Sequence, residues 1–466
     1  MRRTATTIVV MILAGCVLQS APPSGPAEYH YVVLGPDGVA VARVITVNAQ
    51  CPSIDIDGTP RAMTVRMAPA TIPVRPSRPD LPVPKASAFP VLTCETTLPA
   101  GTMRADIGGI ALPLPKANPK RIVVLGDTGC LVNASYQIFQ SCDDAALWPF
   151  PSVANAAAAM TPDLVIHVGD YHYRESACAA GNVGCLGSPW GYGWDAWQAD
   201  FFRPARSLHA AAPWIVVRGN HESCNRAGQG WWRFLDTRPV APRQDCNAAA
   251  DDDIGNYSDA YVVPLGNNTD TAFIVFDSSN VGVTPLDPAD LMYRNYKSEM
   301  EYAFARTART PRVFFTSHHP VLGFAANPGK PETPYPGNAG LQSVMSALYS
   351  SALVPANVVA MLSGHNHLFE FTSFSTSYPP QFITGHGGVW LDQPFPVPFP
   401  PNQQPAPGAV VAELVAASRF GFMTLDRADM GWLVRVWDVR GALMSTCTLA
   451  DRQASCTPIA ASAVIR

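Results

Sequence analysis

The spacing of apolar residues changes character near residue 120. Before it, short β-branched runs such as YHYVVLG, ARVITVN and AMTVRMA are separated by PDG, DGT and proline clusters. Runs of this kind predict strands joined by tight turns, and no stretch of helical spacing interrupts them. The segment 28–118 is therefore expected to be a β-rich, small β-sandwich-like accessory domain. KANPK, Lys116 to Lys120, is the expected linker. Beyond it, apolar runs alternate with stretches of helical spacing: VANAAAAM, WDAWQADFFRPARSLHAA, Tyr293 to Arg309 and LQSVMSALYSSAL are expected helices. AYVVPLG and TAFIVFDSS are expected strands among them, and such alternation predicts an α/β fold. Near the end, FGFMTLD and WLVRVWDV, split by RADMG, predict an antiparallel pair.

Five of the apolar runs end in the same way. RIVVLGDTGC stops at Gly126 and delivers Asp127. LVIHVGDYHY ends on Asp170 and Tyr173, and WIVVRGNHE on Asn220 and His221. RVFFTSHHP ends on His318 and His319, and VVAMLSGHNH on His365 and His367. A short buried strand releases the residue after it at the carboxyl edge of its sheet, where α/β proteins place their chemistry. Carboxylate, phenol, amide and imidazole are the donors that hard and borderline cations take. His365 and His367 lie on one side of an extended segment. One Gly-Asp after a strand is commonplace, and one His-His is weak; five such endings in order predict a metal centre. Buried carboxylates and imidazoles converging without a cation would be too costly to keep.

Composition adds compartment and excludes one class of partner. The chain has 466 residues and a formal net charge of −4, so it lacks the basic balance of a nucleic-acid binder. At 47% hydrophobic residues it can bury a large core, and its length suits one large domain plus a smaller one. Arg2 and Arg3, the apolar run Ile8 to Leu13, and LAGC resemble a bacterial lipoprotein signal. That resemblance implies a signal peptide over 1–15, a lipid on Cys16 that contacts the membrane, and a tether over 16–27. Of the 11 cysteines, Cys16 is thereby set apart. The rest fall in sequence-local couples, 51/94, 130/142, 178/185, 224/246 and 447/456, the simplest disulfide pairing for an exported protein. The last couple lies in the expected tail, 446–466.

GDTG, GDYHY, GNHE, SHHP and GHNH resemble the five blocks of the calcineurin-like metallophosphoesterase superfamily, and within it are most similar to the purple acid phosphatases. Gly129 stands where most of that superfamily carries a histidine, and Tyr173 stands where the purple enzymes place a phenolate. The resemblance implies a four-layer α/β/β/α sandwich over 119–445. It also implies a binuclear centre, Fe(3+) plus a divalent iron, zinc or manganese. Asp127, Asp170, Tyr173 and His367 would hold the first ion; Asp170, Asn220, His318 and His365 the second. Carried over in the same way, the activity is hydrolysis of small-molecule phosphate monoesters by a metal-bound hydroxide. His221 and Asp170 would act in catalysis, with Glu222 orienting His221 and His319 touching phosphate. Two alternatives stand beside this reading: a phosphodiesterase of cyclic nucleotides or phospholipid headgroups, and a non-catalytic surface lipoprotein.

The neighbours divide into weaker candidates and bystanders. His172 could face substrate or solvent. Arg174 and Arg218 could meet phosphate, though structural ion pairs are the plainer expectation. His386 could support a ligand from behind or line the rim, His167 reads as a core histidine, and His30 and His209 have no constellation around them. PFPVPFPPNQQPAPG, Pro394 to Gly408, reads as a loop or lid, and DDDIG as a solvated loop.

Overall fold

The computed structural model describes residues 28–75, 85–267, 270–460 and 463–465. The expected signal peptide and tether, with Cys16, lie outside the described residues. The fold builds outward from the strand Arg121–Leu125. Successive residues of a strand face opposite ways. Accordingly Ile122 and Val124 join one core cluster, while Val123 and Leu125 join another. Both faces are buried, which is why this run is continuously apolar rather than alternating. Leu164–His167 pairs parallel to it, and Trp214–Val216 parallel to that. The register sets Leu125 beside His167 and His167 beside Val216. All three strands therefore leave the sheet at one edge.

On one side the sheet continues through Gly421–Ala428 and Gly431–Asp438, the expected antiparallel pair. Leu443–Ala450 and Gln453–Cys456 follow, so the C-terminal stretch extends the same sheet. On the other side Tyr29–Leu34 pairs parallel to Trp214–Val216, with Val33 opposite Trp214. Ala40–Thr46, Leu92–Thr97 and Thr64–Met67 complete an 11-stranded sheet. The N-terminal region is β-rich as expected, and four of its strands are the edge of this larger sheet. A separate 4-stranded sheet faces them, its Ile54, Ile56, Ala105 and Ile107 packing with Val32, Ala42, Val44 and Leu92. Arg43 pins the region down: wholly buried, it donates to the carbonyl oxygens of Phe234 at 2.9 Å, Leu235 at 3.0 Å and Asp236 at 2.5 Å.

The second sheet carries Thr271–Phe276, Arg312–Ser317, Val358–Ser363 and Gln381–Thr384 as a parallel set. Its register also ends the strands together, Phe276 beside Ser317 and Ser363 beside Ile383. Between the sheets, Ile122, Val124 and Ile166 meet Phe273, Phe314, Leu362 and Phe382. The outer face of the first sheet is covered by the helix Phe150–Ala159 and by residues 194–211. Leu291–Thr307 and Ala339–Leu348 cover the outer face of the second. The result is the four-layer α/β/β/α sandwich.

Two local expectations are corrected. WDAWQADFFRPARSLHAA is not one helix: an α turn over Trp194–Trp197 passes into a π turn over Gln198–Phe202, and Arg206–Ala211 resumes. Pro204 has no amide to donate and breaks the ladder there. DDDIG is not a plain loop either, since Ala249–Asp251 and Asp252–Gly255 form two short helical turns. Disulfides join Cys51–Cys94, Cys130–Cys142, Cys178–Cys185, Cys224–Cys246 and Cys447–Cys456, the sequence-local couples. Among the described residues no helix is long and apolar enough to cross a membrane.

Candidate metal centre

The strand ends turn sharply as they release their side chains. Asp127, Asp170 and His365 adopt left-handed backbone, with φ of 56°, 58° and 70°. Each such non-glycine residue costs about 1–3 kcal/mol, and such strain gathers at functional sites. Glycine flanks them where nothing larger fits: a methyl group on Gly219 would strike Asp170 Oδ1, and one on Gly364 would strike Asp127 Oδ2.

The side chains meet in two groups that share Asp170. Tyr173 Oη lies 3.0 Å from Asp127 Oδ1, 2.8 Å from Asp170 Oδ2 and 3.0 Å from His367 Nε2. One phenol proton cannot serve three acceptors. Asn220 Oδ1 lies 2.9 Å from His318 Nε2 and 3.0 Å from His365 Nδ1. His318 Nε2 in turn stands 3.2 Å from Asp170 Oδ2, the oxygen that also meets Tyr173. Ligand atoms of Asp170, His318 and His365 all lie within 4.8 Å of one another.

This nest calls for positive charge. Burial pushes the Asp127 carboxyl up to about 7 and the Tyr173 phenol well above its usual range. Burial works against His318 as a cation, yet the Asp170 carboxylate beside it carries the imidazole up to about 9. Among the described residues no lysine or arginine ion-pairs with Asp127 or Asp170; only histidines do. Carboxylate, phenol, amide and imidazole, converged and buried with no lysine or arginine beside the carboxylates, fit a pair of cations. The far nitrogens are fixed as well. His318 Nδ1 is 2.9 Å from the Val168 carbonyl and His367 Nδ1 is 2.9 Å from that of Trp390, which turns each Nε2 toward the centre.

The signature of the calcineurin-like phosphoesterases matches residues 120–369, over half of the chain. The chain belongs to the calcineurin-like phosphoesterases. No curated protein sequence matches it. Solved structures resemble it in fold. The purple acid phosphatase PPD1 from yellow lupin seeds (Lupinus luteus) has a TM-score of 0.52 at 15% identity, covering 92% of this chain and 74% of that one. PhoD has a TM-score of 0.54 at 12% identity, covering 95% of each. A calcineurin-like phosphoesterase uses a binuclear metal centre, and the donor set described above suits one.

Around the converging side chains of this phosphoesterase lies a tier that sequence reading only partly found. Glu222 was expected to orient His221; instead its carboxylate collects backbone amides. It accepts from Gly219 at 3.1 Å, Asp170 at 3.1 Å, Tyr171 at 2.9 Å and His172 at 3.2 Å. Burial, and then Asp170, work against the charge on Glu222, and the amides of Tyr171 and Gly219 work for it. Asp200 plays a matching part, accepting from the amides of Cys130 at 3.0 Å, Tyr173 at 2.7 Å and Arg174 at 3.0 Å. His221 is held by Glu175 and Arg226. Its Nδ1 is 3.4 Å from Glu175 Oε1, which takes Arg226 Nε at 2.5 Å. Its ring packs 3.9 Å from that of Tyr173. Asp200, Glu175 and Arg226 were missed; the only signal was charge placed among aromatic or small residues.

The remaining candidates sort by contact. His319 packs its ring 4.2 Å from that of His365, and its Nδ1 is 3.2 Å from Ser278 Oγ. His172 faces neither substrate nor solvent: it is fully buried between Tyr192 and Trp197. Arg174 pairs with Asp200 at 2.5 Å and Arg218 with Asp277 at 3.5 Å, the structural ion pairs. His167 is a core histidine, 3.1 Å from Thr128 Oγ1 and stacked on Tyr171. His386 is buried against Phe369 rather than on a rim. The proline-rich segment is anchored, Phe395 and Phe399 packing with Phe324.

Proposed function

We propose that this phosphoesterase hydrolyses phosphate monoesters at a pair of ions of the purple acid phosphatase type, Fe(3+) beside a divalent iron, zinc or manganese. The observation that carries the reading is the Tyr173 phenol oxygen, 2.8–3.0 Å from Asp170, Asp127 and His367. A phenolate among carboxylates is a donor set for a hard, trivalent ion. The ions supply Lewis acidity and an activated water. Asp127, Tyr173 and His367 would hold one ion and Asn220, His318 and His365 the other, with Asp170 shared between the two groups. His221, fixed by Glu175 and Arg226, hands a proton to the departing ester oxygen. His319, packed on the His365 ring, keeps that ligand in place.

Protein purified without added metal should contain iron and absorb visible light by charge transfer from the phenolate. Tyr173→Phe should bleach it. Colourless protein holding two non-iron ions and retaining activity would refute the iron assignment. Nitrophenyl phosphate should be cleaved faster than its bis-ester; a large preference for the diester overturns the monoester reading in favour of a phosphodiesterase.

The five disulfides support an oxidising compartment, and LAGC a lipid anchor. We read the protein as exported and tethered through Cys16. Cys16→Ala should move it from the membrane fraction to the soluble one. An unchanged membrane share would sink the anchor.

A further inference from the structure

A groove of about 740 Å³ lies behind the second block, walled by the start of the helix Phe150–Ala159, by residues 199–210 and by the loop 186–189. None of the ligand side chains lines it. Arg174, Arg203 and Arg206 do, together with Trp148, Asn155 and Ser207. Arg174 is 4% exposed, and its guanidinium stands 5.0 Å over the Trp148 ring. Asp200 neutralises it, and its Nη1 also meets Ser188. The other two cations are different. Among the described residues Arg203 reaches only Gln198 Oε1, at 3.4 Å, and has no carboxylate partner. Arg206 reaches the Glu28 carbonyl at 3.3 Å and the Tyr29 ring, again with no carboxylate. Asp143 is the acidic residue in the lining.

We propose that this groove is a second binding site, for a small organic anion with a flat apolar body. The charge is arranged for it. Arg203 and Arg206 are exposed, have no carboxylate partner among the described residues, and share one wall with the Ser207 hydroxyl. A planar guanidinium recognises a carboxylate, sulfonate or phosphate through two parallel hydrogen bonds. The body is provided for by Trp148, Pro151, Leu186, Pro189 and Pro204. Leu186, 67% exposed, offers apolar surface at the mouth. The volume is of the order found for small-molecule sites, about 300–1,000 Å³. The site is separate from the metal centre, and independent of the proposed monoesterase reading, because Arg174 and Tyr173 are successive residues sent to different places. Tyr173 reaches the ligand cluster while Arg174 reaches the groove.

The test uses naphthalene-2-sulfonate, a flat aryl anion that is a poor metal ligand, titrated calorimetrically into the metal-loaded full chain. One site per chain is expected, weakening as salt screens the charges. Arg203→Ala with Arg206→Ala should weaken binding at least tenfold, while an exposed arginine elsewhere, Arg61→Ala, should change nothing. Arg206 touches the N-terminal strand, so Arg203→Glu alone, at a position with no such contact, should also abolish saturable binding. Hydrolysis of nitrophenyl phosphate without the sulfonate should stay at the wild-type rate in all three. No saturable heat in the wild type, or equal affinity in the arginine variants and the wild type, overturns the proposal.

Discussion

Glu222 accepts four backbone amides, from Gly219, Asp170, Tyr171 and His172, and so ties the second strand ending to the third. Glu222→Gln keeps the shape but turns an NH2 toward amides that need an acceptor. Leaving buried donors unmet costs about 1–3 kcal/mol each. The variant should lose at least about 2 kcal/mol in chemical denaturation, and its metal content should fall, because Asp170 moves with its own amide. Wild-type metal content would show that the carboxylate is not what positions Asp170. His209 gives a pH effect away from the centre. It is buried against Trp214, Phe201 and Tyr31, and burial, aided by Arg206, pulls it down to about 3. Unfolded, it takes a proton below about 6.5. The folded state resists that proton, so stability is full above 6.5 and falls as pH drops toward 3. Between pH 6.5 and 4.5 the loss from this group is about 2–3 kcal/mol. His209→Phe should flatten that part of the denaturation profile; an unchanged slope refutes the assignment. The converging side chains were legible because each lies just after an apolar run that fixes where it emerges. Asp200 and Arg226 were not, because their meaning lies in partners, Cys130 and Glu175, that are distant along the chain.

At the scale of elements, the strand endings and the final antiparallel pair could be read because alternation and turn residues are local. The break in residues 194–211 was missed, since a run of aromatic residues keeps helical spacing through a π turn. That turn leaves Asp200 wholly buried, where it caps three amides of the centre. The N-terminal strands looked in sequence like a body of their own, because strand pairing across a sheet leaves no mark on composition. In space Tyr29–Leu34 covers the edge of Trp214–Val216, and Arg43 fastens to the carbonyls of 234–236. A chain beginning at Pro119 would open that edge and strip those carbonyls of their donor. It should be recovered insoluble, or without a cooperative melting transition. A soluble fragment with wild-type metal content would show that the catalytic sheet does not need the hairpin.

The two largest sheets of the molecule end their parallel strands at a common rim, where left-handed residues turn the converging side chains together. The α/β class was legible because apolar runs alternate with stretches of helical spacing, while the layer order was implied only by the resemblance of the five blocks. The sheet order was not, since strands far apart in sequence become neighbours. That order has a consequence for biosynthesis. Arg121–Leu125, which delivers Asp127, has Gly421–Ala428 as one of its two neighbours. Until a ribosome has made Gly421–Ala428, that apolar ribbon has one bare side. A nascent chain in this condition is vulnerable to sticking, and translocation across a membrane before folding would keep the bare side apart from its like until the closing strand arrives.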